Sequence, residues 1–257
     1  EGAEAVLLQL VETLETSQDD ASAALAAVVG WVEKHAPSPQ LVSLVGRLGG
    51  LTEGLASALD SLEASLKRCD NPDALVAMAL EMARLSDDPG QIARLLREVL
   101  EETATTADCV HDLDTLSQSS GDESVRLKFL ERAVLERWPG SADYALELGV
   151  RLWRSGSADR GVELMRQALE EGLALAVLQA ELTPLAESPD GHAVSVLLSE
   201  VLELEGQLVE AANVWRRRLQ SGADDAASRE FFALAERSGD GELVAEAIFI
   251  PSKMLQR

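Results

Sequence analysis

Reactive side chains come closest together at Cys109, His111, Asp112 and Asp114, a thiol, an imidazole and two carboxylates within six positions. Such a set could hold a metal ion or activate a thiol nucleophile. On a helix, His111, Asp112 and Asp114 stand at i+2, i+3 and i+5 from Cys109, which spreads the four groups over different faces. Helical metal sites use i, i+4 pairs and loop sites use paired cysteines, and neither pattern is present, so no metal is expected. Cys69 and Cys109 are far apart in the chain with no CxxC between them and read as two reduced, partly buried thiols. His35 and His192 stand alone near expected helix ends, where the helix dipole favours a cation. Arg216, Arg217 and Arg218 form the one basic run. Three consecutive helical residues point around most of a circumference, so they predict local pairing with Glu210 or Asp225 rather than one phosphate site. No GxSxG, HExxH, Walker-type loop or GxGxxG occurs. The expectation is a chain without enzymatic activity or cofactor.

The elements that carry these residues repeat. Leu7, Leu41, Leu75, Cys109 and Tyr144 follow one another at steps of 34, 34, 34 and 35. The same step carries Val11 to Val45, Ala79, Leu113 and Leu148, and Leu14 to Leu48, Met82 and Leu116. It also carries Val28 to Leu62, Leu96, Leu130 and Met165, and Val32 to Leu66, Leu100, Val134 and Leu169. Five registers that stay apolar over a fixed period identify stacked supersecondary units. Cys109 takes its place in the first of these registers, which explains it without chemistry.

Composition agrees. Aromatics are 4% of the 257 residues, and Ala, Leu and Glu dominate, so the chain should be almost wholly helical. The apolar runs fall short of the ~20 residues a membrane helix needs, and no signal peptide opens the chain. Glu1-Gly2 at the start, in place of an initiator Met, reads as a segment of a longer protein. A cytoplasmic location is the expectation. Lys occurs only at positions 34, 67, 128 and 253, and this Arg bias with the high Ala content reads as a high-GC bacterial composition. A net charge of -23 argues against nucleic acid or anionic lipid as partner and for a protein or peptide with a basic patch. The same acid surplus also solvates outward helix faces.

Breakers divide the chain into helix pairs: about 3–17 with a helix capped by Asp19 and Asp20; Pro39 to Arg47 with Leu51 to Arg68; Pro72 to Leu85 with Pro89 to Glu102; Thr106 to Ser119 with Asp122 to Trp138; and Ser141 to Ser155 with Ala158 to Glu171. Short loops make neighbours antiparallel. Beyond Gly172 two pairings fit. Either Ala174 to Ser188 pairs with Gly191 to Glu205 and Leu208 to Gln220 with Ala226 to Arg237, or Ala174 to Ser188 is unpaired and His192 to Glu205 pairs with Leu208 to Gln220. Pro184 is expected to kink or shorten its helix and Pro251 to end the last one. Trp31, Trp138 and Trp215 read as packing between units.

With these features the chain resembles the tetratricopeptide repeat family, whose unit is a 34-residue helix-turn-helix. The fifth unit carries the resemblance: Leu148-Gly149, then Leu152, Gly156 at the inter-helix turn, Met165 and Ala168. Gly46, Gly121, Ala133 and Pro139 add partial matches. Glu12, Leu80 and Asp114 depart from it, standing where Gly46 and Gly149 allow close helix approach. The resemblance implies a right-handed all-α solenoid of about six to seven antiparallel helix-turn-helix units forming one repeat domain over residues 1–257. It further implies a scaffold whose first helices line a groove for a peptide or partner domain. Carried onto this chain, that groove runs past Gln9, Thr13, Ser43, Arg47, Ala77, Glu81, His111, Thr115, Leu146, Val150, Trp153 and Arg154. Partner contacts are expected at Arg47, Glu81, His111, Leu146, Val150, Trp153 and Arg154. Trp153 beside Arg154 is the candidate anchor, a core role being its alternative. The clamp of Lys, Asn and Arg that grips a carboxylate in chaperone-binding members is not matched, with Asn only at positions 71 and 213. A regulatory sensor, its superhelix responding to a peptide or a small GTPase, is the alternative to a passive scaffold.

Overall fold

The computed structural model describes residues 2–17, 20–102, 107–188, 190–221 and 225–254. Among them every regular element is helical, and the chain divides into two compact units, residues 1–139 and 140–257. The expected cap Asp19 and the expected helix start Thr106 lie outside the described residues.

The first unit contains α1 (Gly2–Ser17), α2 (Ala21–Val32), α3 (Pro39–Gly49), α4 (Leu55–Leu66), α5 (Pro72–Leu85), α6 (Pro89–Glu101), α7 (Val110–Ser119) and α8 (Glu123–Leu135). Their starts are written in side chains. Asp20 accepts from the Ala23 amide at 2.9 Å, and Asn71 and Asp88, each followed by Pro at the first helical position, accept from the second and third amides beyond them. A capping oxygen satisfies a donor that the helix leaves open, and a proline there has no donor to lose. Two helix starts differ from expectation. Residues 50–54 form turns, so α4 begins at Leu55 rather than Leu51, and α7 is entered through a 3-10 turn at Ala107–Cys109.

Two of the apolar registers are buried throughout the first unit. Val11, Val45, Ala79 and Leu113 lie in the core, as do Val28, Leu62, Leu96 and Leu130. Consecutive helices pack on one another, and α2 also packs on α4, α3 on α5, α5 on α7 and α6 on α8. That next-but-one contact makes the unit an all-α solenoid, because each apolar stripe is covered by the following layer. Ion pairs run along the layers as well. Glu15 meets Arg47 between α1 and α3, Arg84 meets Asp112 between α5 and α7, and Glu63 receives Arg94 at 2.7 Å between α4 and α6.

The second unit contains α9 (Ser141–Arg154), α10 (Ala158–Glu170), α11 (Leu175–Ala186), α12 (His192–Leu204), α13 (Leu208–Ser221), α14 (Asp225–Ser238) and α15 (Gly241–Met254). The α9–α10 pair is the tightest. A Cβ at Gly149 would stand 2.7 Å from the Gly161 carbonyl oxygen, and a Cβ at Gly161 would stand 2.7 Å from the Gly149 oxygen. The two backbones touch because neither residue has a side chain. Gly156 turns the chain between them at φ +95°, a conformation that strains other residues.

Further along, α11 packs on α12 and α13 on α14, while α12 also touches α10 and α13. Thus α12 is shared between the two alternative pairings. The unit is laced by Arg166–Glu200, Arg216–Glu246 and Arg237–Glu203, each joining two helices, and by Arg217–Glu187, which ties α13 to the end of α11. Arg216 and Arg217 of the basic run therefore pair across layers rather than with Glu210 or Asp225, pointing to opposite neighbours, and Arg218 donates to the Ser188 carbonyl. The last helix passes through Pro251 instead of stopping there. Pro184 lies inside α11, which ends shortly afterwards at Ala186.

Candidate functional site

In the first unit α3, α5 and α7 stack in order, so residues one repeat apart fall on one side of the stack. Ser43 and Arg47 on α3, Ala77 on α5, and His111 and Thr115 on α7 are exposed, and Glu81 on α5 is half-buried. Gln9 and Thr13 of α1 are exposed in the same register. In the first unit this face is therefore open to solvent.

Its charges are engaged. The Arg47 side chain is 56% exposed yet grips both Glu15 carboxylate oxygens, the Nη2 contact being 2.9 Å. Arg84, a residue missing from the predicted set, donates to Glu81 at 2.7 Å and to Asp112 on α7. These hydrogen-bonded carboxylates hold the Arg47 and Arg84 guanidiniums above their ordinary pKa. The reactive cluster disperses: Cys109 precedes α7, His111 faces solvent, Asp112 meets Arg84, and Asp114 meets Arg126. Arg126 was not singled out from the sequence. Its side chain is only 5% exposed and donates to Asp114 Oδ1 at 2.6 Å and Ser117 Oγ at 2.8 Å.

In the second unit two expected contacts change role. Leu146 and Val150 are buried, because α9 is apolar on more than one side, so they belong to the core and not to an accessible groove. Trp153 is half-buried and its backbone lies against Gly161, whereas Arg154 is exposed. The other indoles vary. Trp138 and Trp215 are buried, with Trp215 Nε1 donating to Ser199 Oγ at 3.1 Å, and Trp31 is half-buried and stacked on His35. Trp138 lies beyond the end of α8 rather than within it.

Clefts between helices were not anticipated, and two of those among the described residues have charged or polar linings. One, about 510 Å³ between α4 and α6, is lined by the charged groups Asp60, Glu63, Lys67, Arg94, Arg97 and Glu98. Burial raises the Glu63 pKa, but hydrogen bonds from Arg94 and Gln91 outweigh it and hold the carboxyl below its ordinary range. Glu98 moves the other way, raised by burial and by the neighbouring Glu63 charge. The other cleft, about 350 Å³, is formed by α11, α12 and α13. Its polar lining includes Gln179, Thr183, Glu210 and Asn213. Periodicity finds apolar stripes; it does not find clefts between the polar faces they leave behind.

These features define an all-helical repeat array. No protein-family model matches the chain, and no curated protein matches it. Among solved structures it is similar to one described as a circular tandem repeat protein with novel repeat topology and enhanced subunit contact surfaces, at 18% identity and a TM-score of 0.18. The match covers 97% of this chain and 62% of that one, so the chain spans less than two thirds of that protein's length. Among the described residues no helix is long and apolar enough to cross a membrane.

Proposed function

We propose that the chain is a non-catalytic protein-protein interaction scaffold that receives a peptide segment or partner domain on the first helices of its tetratricopeptide-like repeats. The observation that carries this reading is the recurrence of exposed positions at one repeat spacing on α3, α5 and α7, above stripes that are otherwise buried. A repeat array whose layers keep the same side open offers an extended recognition surface, and affinity there comes from preformed shape. The charge of -23 favours a partner presenting a basic patch.

The test uses Ala77→Arg and Thr115→Arg, which add bulk on the exposed face without touching the core. Partners captured from the lysate of the source organism by the wild-type chain should be lost with both variants, at unchanged thermal midpoints. Equal capture by wild type and both variants removes this face from the function.

A further inference from the structure

The α11–α13 cleft holds a polar group for which the fold supplies no partner. Asn213 lines it, and the Asn213 Oδ1 is buried without a hydrogen bond, alone in this among the buried side-chain N and O atoms of the described residues. An orphaned acceptor costs stability, commonly about 1–3 kcal/mol. Leu198, Leu202 and Val214, which line the same cleft, are apolar and offer the amide no hydrogen bond. An amide turns readily about its last torsion, so Asn213 can present its oxygen to the cleft and accept from an incoming N–H.

The groups around it are ordered by charge. Glu210, Asn213 and Arg217 occupy positions i, i+3 and i+7 and share one face of α13. They run acid, amide, base over about 10 Å. Thr183 and Gln179 face them from α11. Arg217 is held by Glu187 through one nitrogen, at 3.2 Å, which leaves other N–H groups of its guanidinium for a further carboxylate. An extended peptide advances about 3.3 Å per residue, so a three-residue stretch matches the length of this gradient.

We propose that the α11–α13 cleft binds a short peptide stretch in which a cation and a carboxylate flank a backbone N–H: the cation to Glu210, the N–H to Asn213, the carboxylate to Arg217. The stretch is either a free short peptide, charged at its termini, or a segment of a protein chain charged on its side chains. This deepens the scaffold reading and rests on it in taking polypeptide as the ligand.

Backbone amide shifts of α11 and α13 are followed by NMR on the full chain during titration with two probes. One is acetyl-Lys-Ala-Glu-amide, charged only on side chains; the other is unblocked Ala-Ala-Ala, charged only at its ends. Saturable shifts with either probe support the site, and which probe binds more tightly assigns the source. Acetyl-Gln-Ala-Gln-amide should bind about tenfold more weakly, as should the better probe to Arg217→Met. Asn213→Leu should also weaken it about tenfold while leaving the thermal midpoint equal or higher, which a merely structural asparagine would not do. Wild-type amides unmoved by both probes, equal binding of the neutral peptide, or unchanged affinity in Asn213→Leu overturns the proposal. If the wild-type chain still captures a partner that Ala77→Arg loses, only this cleft is lost and the scaffold reading stands.

Discussion

Replacing one hydrogen by a methyl group at two helical glycines should move stability in opposite directions. In Gly149→Ala the new Cβ meets the Gly161 carbonyl oxygen at 2.7 Å, Met165 Cγ at 2.8 Å and the Met165 amide nitrogen at 3.1 Å. Met165 is a flexible side chain and can retreat, but the carbonyl belongs to the backbone of α10. Carbon-oxygen contacts of this kind normally stand no closer than about 3.3 Å, so α9 and α10 must separate by roughly 0.6 Å. Overpacking of this sort costs about 1–3 kcal/mol, against about 1 kcal/mol gained from alanine's helix propensity. Net destabilisation of up to about 2 kcal/mol is expected, and Gly149→Leu should lose more. Gly30 in α2 is exposed and a Cβ there has nothing within 4 Å, so Gly30→Ala should gain about 0.5–1 kcal/mol. Urea unfolding followed by far-UV circular dichroism reads both, with hydrogen exchange of α9 and α10 amides localising the first. If Gly149→Ala stabilises as much as Gly30→Ala, the backbone contact is wrong.

Arg126→Met removes a nearly buried guanidinium from Asp114 and Ser117, and should cost about 1–3 kcal/mol in urea melts; an unchanged midpoint would mean that those bonds are not made. Glu63 and Glu98 should respond oppositely to pH. The depressed Glu63 pKa gives stability that is present above the ordinary carboxylate pKa and lost as pH falls through the folded value, so Glu63→Gln should destabilise at pH 7 and match wild type in strong acid. Glu98 is raised, so its contribution is fully present below the ordinary pKa and lost as pH rises through the folded one. Glu98→Gln should therefore stabilise at pH 7, and a destabilised variant there would contradict the burial assigned to Glu98.

Sequence periodicity reported what burial selects for and little else. Registers such as Val28, Leu62, Leu96 and Leu130 are legible because a stacked layer tolerates only apolar groups at those points. Caps are legible for the same kind of local reason: Asn71-Pro72 and Asp88-Pro89 satisfy a helix start without tertiary help. Gly149 was legible as a close-approach residue, but its partner Gly161 was not, since pairing glycines on two successive helices requires the geometry of the turn between them. The candidate face failed where its assumption failed. Extrapolating the groove register to α9 assumed that each first helix has one buried side, whereas Leu146 and Val150 are buried along with Leu148. Charge partners were least legible, because Arg217 and Glu187 are distant in sequence and nothing local distinguishes them from an i, i+4 choice.

The engaged arginines bear on the choice between a passive scaffold and a sensor. Arg84 joins the exposed face of α5 to Asp112 on α7, so a partner that drew Arg84 away would release one tie between layers. Both side chains are substantially exposed, at 46% and 32%, and such pairs contribute about 0–1 kcal/mol. Coupling between sites that deserves the name of allostery is typically about 1–3 kcal/mol. One exchanged tie falls short of that, and the packing of α5 on α7 remains to hold the spacing. A partner would have to take several ties at once, on successive first helices, to alter the stack. Arg47 and Arg84 are two such ties on the exposed face, and Arg47 reaches back to α1 whereas Arg84 reaches forward to α7. Losing both loosens two different junctions weakly and neither decisively, which favours a surface that binds without changing the array beneath it.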